Sequence, residues 1–140
     1  MTTTITQQPS YVFVYGTLCH GQKRDINGLQ PSPIFMGRCK ISGTLYDLGN
    51  YPGVRLGGAH WVWGEVYQIT AQLEQQLDEI EEVWPQQTGE YVKRQVVVQC
   101  DGRELICLVY ELAQTYSEGR DVITSGDWIN WQRSSVGRTR

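Results

Sequence analysis

Several residue types that carry metal, redox or membrane chemistry are scarce in this chain of 140 residues. There are two histidines, His20 and His60, and four cysteines, Cys19, Cys39, Cys100 and Cys107, none in a Cys-x-x-Cys pair. That spacing excludes the usual zinc-binding patterns. No apolar run approaches the ~20 residues a helix needs to cross a bilayer. The opening MTTTITQQPS lacks the basic and apolar stretches of a secretory leader. The expectation is a cytoplasmic protein with reduced thiols and no membrane partner. An excess of positive charge is also missing: 12 Lys and Arg face 15 Asp and Glu, for a net charge of −3. A nucleic-acid surface is normally basic, so no nucleic-acid partner is expected. Gly16 and Gly21 fit neither GxGxxG nor GxxxxGK[ST], so the chain carries no nucleotide-phosphate fingerprint. Internal repeats and low-complexity segments are absent as well.

What is present is a globular composition, 40% hydrophobic and 19% charged, with five Trp and eight Tyr. The length suits one domain, and the aromatics supply core or pocket walls. Residues 11–15 read as a strand buried on both faces. Residues 19–34 read as loop with a short helix near Lys23–Leu29. Residues 35–48 hold one or two strands around Gly43, the turn-rich LGNYPGVRLGG at 48–58 reads as loop, and 61–69 as strand. One helix stands out. Thr70 is a suitable N-cap, Ile69, Leu73, Leu77, Ile80 and Trp84 form a single apolar face, and Pro85 stops it. Two β-rich runs, 92–100 and 103–112, flank Asp101-Gly102, a type I′ hairpin signal. That register sets Cys100 opposite Arg103 and Cys107 opposite Val96, which implies no disulfide. The sum is an α+β domain over 11–131 with a mostly antiparallel sheet able to curl into a small barrel. Residues 1–10 and 132–140 are expected to be loose ends.

The helix carries five acids: Glu74, Asp78, Glu79, Glu81 and Glu82. Most acids on a helix face solvent. At ~100° per residue, Glu82 points away from the apolar face, Asp78 and Glu79 lie well off it, and Glu81 falls closest to its border. A carboxylate at such a border is partly desolvated, and neighbouring acids add to the effect. Both raise its pKa toward the range a general base needs near neutral pH. The Gly16-Thr17 turn after the first strand suits either an ordinary strand exit or a presentation of backbone N–H groups to an anion. Cys19 beside His20, or with His60 as base, is a further candidate for nucleophilic chemistry. It is the weaker one, because sequence neighbours diverge.

An ordered series of segments resembles the gamma-glutamylcyclotransferase-like family. The segments are VYGTL at 14–18, GTLYDLGNYPGV at 43–54, VWGEVYQI at 62–69, LDEIEE at 77–82, YVKRQVVV at 91–98, LVYEL at 108–112 and SGDW at 125–128. The nearest likeness is to its small bacterial branch, itself similar to gamma-glutamylamine cyclotransferases. The resemblance implies a small, mostly antiparallel β-barrel with flanking helices. It implies a cavity lined by Tyr15, Gly16, Thr17 and Leu18, with Tyr91 and Tyr110 as walls and Glu81 as the catalytic glutamate. It also implies cofactor-independent release of 5-oxoproline from a γ-glutamyl amine or amino acid. A small-ligand binding protein on the same fold is the alternative. A monomer or weak homodimer is expected. Two positions depart from the family pattern: Glu82 stands where glycine is usual, and Cys19 where a basic residue is common.

Overall fold

The apolar run at 11–15 becomes strand β1 (Ser10–Val14), third in a six-stranded sheet. The computed structural model describes residues 10–83 and 86–132. The other strands are β2 (Ile34–Asp47), β3 (Pro52–Ile69), β4 (Tyr91–Cys100), β5 (Arg103–Leu112) and β6 (Asp121–Val122), in the sheet order β4-β5-β1-β3-β2-β6. β1 pairs antiparallel with β3 and parallel with β5. Its side chains alternate between two cores. Phe13 and the following Tyr15 enter the concave side, with Ile41, Val62, Val109 and Trp128. Val12 and Val14 enter the convex side, with Ile69, Leu73, Leu77 and Leu112. Both faces are covered, which is why the run is continuously apolar rather than alternating.

The sheet curls because of one long hairpin. β2 and β3 pair from Asp47–Pro52 to Ile34–Gln68, but the register slips between Ser42–Trp61 and Gly43–Leu56. Residues 57–60 bulge from β3, and Gly57 and Gly58 supply the left-handed backbone it needs, with φ of 91° and 93°. The bend turns the outer half of β3 back until Val54 pairs with Glu111 of β5. Buried Glu111 fixes that closure, accepting from the Leu56 N–H at 2.9 Å and from Arg94 Nε at 3.0 Å, with Arg55 Nη1 at 3.3 Å. The stretch 48–58, expected as loop, is therefore strand from Pro52 onward. Its glycines serve a bend within a paired strand rather than an open connection. Arg94 is half exposed, and its pairing with Glu111 is its tie to the closure.

Helix α1 (Ala71–Ile80) lies on the convex side. The Thr70 hydroxyl accepts from the Leu73 N–H at 3.0 Å, the cap its sequence suggested. Leu73 and Leu77 are completely buried, each contributing roughly 1.5–3 kcal/mol of transfer free energy. The helix ends at Ile80, one turn earlier than the apolar spacing predicts. Trp84 and Pro85, the expected last turn and stop, lie outside the described residues. So do the expected loose ends, apart from Ser10 and Gln132. The short helix expected near Lys23–Leu29 is a single 3-10 turn, Ile26–Gly28. A short helix α2 (Gln114–Ser117) and a helical turn at 128–132 complete the fold. The β4–β5 hairpin has the expected register, with Cys100 opposite Arg103 and Val96 opposite Cys107. Trp128 is buried, whereas Trp61 is half exposed beneath Lys40 Nζ at 4.8 Å. Among the described residues no helix is long and apolar enough to cross a membrane.

Candidate active site

The chain leaves β1 through Tyr15-Gly16-Thr17-Leu18, and the hydrogen bonds of that turn are unevenly spent. Three of its carbonyls are engaged: Gly16 O accepts from Cys19 N, Thr17 O from Arg24 N at 2.9 Å and Leu18 O from Ile26 N at 2.8 Å. The N–H groups from Cys19 to Gln22 are engaged too, with His20 donating to Glu65 Oε1 and Gly21 to Asp25 Oδ2. Among the described residues, nothing accepts from the N–H groups of Gly16, Thr17 and Leu18. Backbone donors are rarely left unpaired except where water or a ligand takes them. Gly16, Thr17 and Leu18 line a cavity of about 170 Å³. Gly16 is required here by packing, since a Cβ would stand 2.6 Å from Pro52 Cγ. The seating of β1 against the start of β3 therefore demands the glycine, whatever the ligand.

Glu81 lines the same cavity, as the residue that caps α1 at its C-terminal end. The helix closes in a Schellman motif: Val83 N donates to Asp78 O at 2.9 Å and Glu82 N to Glu79 O at 3.2 Å. Glu82 takes the left-handed position of that motif, with φ of 57°. A glycine would occupy it without the Cβ penalty, which gives the glycine of the family pattern a physical reason. No hydrogen bond or ion pair reaches the Glu81 carboxylate among the described residues. Burial is the largest influence on it and pushes its pKa up to about 7; Glu90 and Glu82 push the same way, and Arg24 opposes them.

The other helix acids have different work. Asp78, expected to lie off the packed face, accepts from the Tyr110 hydroxyl at 2.7 Å. Lys93 Nζ bridges Asp78 at 3.0 Å and Glu74 at 2.7 Å. The three tyrosines expected at the cavity all have committed hydroxyls. Tyr15 donates to Tyr110 O at 2.7 Å, and Tyr91 donates to Pro52 O at 2.8 Å. Desolvation holds each phenolic proton in place. Tyr15, Tyr91 and Tyr110 thus present rings to the cavity rather than free hydroxyls. Gly16, Thr17, Leu18 and Glu81 join them there, so the cavity gathers every site residue expected from the sequence.

Sequence reasoning missed three further residues of its wall: Arg24, Tyr51 and Glu90. Tyr51 donates to Glu90 Oε2 at 2.7 Å. Tyr51 lies in the segment 43–54 that carries the resemblance, but none of the three lies on a periodic face, and only the fold brings them together at the cavity. The cysteine reading fails on geometry. Cys19 is buried, its thiol directed to Val14 O at 3.5 Å, and burial drives its pKa well above the ordinary thiol value. His20 sits 3.5 Å from Asp25 instead. Among the described residues no group of three or more His, Cys, Asp or Glu side chains is arranged to hold a metal ion.

Residues 12–130 match the family model described as gamma-glutamyl cyclotransferase, AIG2-like. A protein of Vibrio cholerae serotype O1 named "Putative gamma-glutamylcyclotransferase" is 35% identical over 117 residues, 84% of this chain and 93% of that one. The crystal structure of YkqA from Bacillus subtilis superposes with a TM-score of 0.72 at 26% identity; the match covers 94% of this chain and 44% of YkqA. An AIG2-like protein from Mus musculus superposes with a TM-score of 0.63 at 29% identity, over 76% of this chain and 79% of that one.

Two stability measurements check the local account. Glu82→Gly relieves the left-handed strain and is expected to raise stability by about 1 kcal/mol in urea unfolding; an unchanged or lower midpoint contradicts the Schellman assignment. Glu81 binds its proton more tightly folded than unfolded, so stability falls as pH rises from about 4.5 to about 7. Glu81→Gln, neutral throughout, is expected to exceed wild type by roughly 1–3 kcal/mol at high pH. That advantage vanishes below the unfolded pKa, and a pH-independent difference contradicts a desolvated Glu81.

Proposed function

The chain belongs to the gamma-glutamyl cyclotransferase, AIG2-like family, and on that footing we propose that it cyclises γ-glutamyl amines or γ-glutamyl amino acids in the cytoplasm. The observation that carries this reading is the pairing of two unspent groups in one cavity: a Glu81 carboxylate with no hydrogen bond and a near-neutral pKa, and the free N–H groups of Gly16, Thr17 and Leu18.

In this reaction the substrate's own α-amine attacks its γ-carbonyl carbon. A new C–N bond closes a five-membered ring, the original amide C–N bond breaks, and the products are 5-oxoproline and a free amine. Nucleophile and electrophile share one molecule, so the balance needs neither water nor cofactor. Holding the substrate in its folded rotamer lowers the barrier as in a well-oriented intramolecular reaction. Glu81 takes the proton from the attacking amine and returns it to the departing nitrogen. A pKa near 7 suits both directions of that transfer at neutral pH. The loop N–H groups stabilise the negative charge that develops on the γ-carbonyl oxygen, or hold the α-carboxylate. The three tyrosine rings exclude water and shape the cavity around the glutamyl chain.

The test is 5-oxoproline release, followed by mass spectrometry across a panel of γ-glutamyl amines and amino acids. Glu81→Gln is expected to bind the same substrates but lose about 10²–10⁴ in rate, while Glu82→Gln stays within about twofold of wild type. Wild-type rates in Glu81→Gln, or a folded wild type that binds the panel and releases no 5-oxoproline, would overturn the proposal.

A further inference from the structure

Among the described residues Arg24 is the one cation lining the cavity, and the carboxyl groups there are those of Glu81, Glu82 and Glu90. The Arg24 side chain makes no hydrogen bond and no ion pair among the described residues. The acids near it are already engaged or held apart. Asp25, its chain neighbour, accepts from Gly21 N, Asn27 N and Asn27 Nδ2 at 2.8–2.9 Å. Glu90 accepts from the Tyr51 hydroxyl. The Arg24 backbone is fixed, because its N–H donates to Thr17 O inside the loop that presents the three free N–H groups. Its charge is nonetheless felt across the cavity, where it opposes the rise in pKa that burial imposes on Glu81 and that the Glu90 contact and burial impose on Tyr51. A rigidly mounted, exposed and unpaired guanidinium at the mouth of a small cavity is arranged to receive an anion.

We propose that Arg24 binds the carboxylate of the leaving half of the substrate, so that γ-glutamyl α-amino acids are favoured over conjugates of simple amines. The proposal rests on the cyclotransferase reading for which half of the substrate leaves. The glutamyl half enters first, since its α-amine must reach Glu81, and its oxygens meet the N–H groups of Gly16, Thr17 and Leu18. The leaving half then points to the mouth, where Arg24 is exposed. A guanidinium matches a carboxylate with two parallel N–H donors, a geometry a neutral amine conjugate cannot use.

The test compares γ-glutamylalanine with γ-glutamylethylamide, which differ only in that carboxylate. Calorimetric titrations use the full chain carrying Glu81→Gln, so that binding is read without turnover, with and without a second change at Arg24. Arg24→Gln is expected to weaken γ-glutamylalanine about tenfold, the size of one partly exposed charge-assisted contact, and γ-glutamylethylamide by less than about twofold. Arg24→Lys keeps part of the preference, as a point charge without the planar fork. Equal losses for both ligands would place Arg24 on the glutamyl half and overturn the proposal. No change in either, or no binding of either ligand, overturns it as well. Arg24-dependent binding of the dipeptide together with a wild type that makes no 5-oxoproline would refute the chemistry and leave the Arg24 assignment standing.

Discussion

The 2.7 Å hydrogen bond from the Tyr110 hydroxyl to Asp78 sets the rotation of helix α1 on the sheet, and with it the direction of Glu81. Burial of Leu73 and Leu77 holds the helix down, but apolar contact is non-directional and tolerates sliding. The polar tie does not. Lys93 reinforces it from the neighbouring strand by bridging Asp78 to Glu74 one turn earlier, so two turns of the helix are fixed to β4 and β5. A partly buried, charge-assisted contact of this kind contributes roughly 1.5–3 kcal/mol. β5 is in turn paired with β1, whose exit carries the loop of free N–H groups. One hydrogen bond thus couples the helix bearing the acid to the strand bearing the donors.

The sheet's curvature does the rest. The bulge at 57–60 returns the outer half of β3 to β5, which brings Tyr51 and Pro52 to the cavity beside the β1 exit. Pro52 then serves twice, closing against Gly16 and accepting from the Tyr91 hydroxyl. The cavity wall is therefore made from residues far apart in the chain whose polar groups are mostly satisfied by one another. Among the described residues, the N–H groups at 16–18 and the side chains of Glu81 and Arg24 stay without a protein partner in that wall. Groups left without partners lower stability, and they persist where a site requires them.

Glu81 was legible in the sequence because helical spacing alone sets it at the border of the apolar face, and the family resemblance reaches the same residue. The helix end was not legible. Ile80 and Trp84 extend the apolar spacing, while the left-handed Glu82 breaks the helix, and a glutamate carries no local signal for that conformation. The role of Asp78 was hidden for a related reason: an acid off the apolar face reads as solvated until a tyrosine on a distant strand is known to meet it. Residues 52–58 read as loop because glycine and proline mark turns, whereas here they sit at a bend and an edge of a paired strand. Arg24, Tyr51 and Glu90 reach the cavity through tertiary folding alone, so no periodicity could single them out.

The electrostatic balance at Glu81 is the centre of the account. Desolvation and two neighbouring acids raise its pKa, one arginine opposes them, and the outcome is a carboxyl group that exchanges its proton near neutrality. A carbon-detected NMR titration of the glutamate side-chain carboxyls, with Glu81 assigned by its loss in Glu81→Gln, measures this balance directly. A midpoint near 7 for Glu81 is the predicted result. A midpoint near the ordinary glutamate value of about 4.3 would contradict it and remove the ground for proposing Glu81 as the proton carrier.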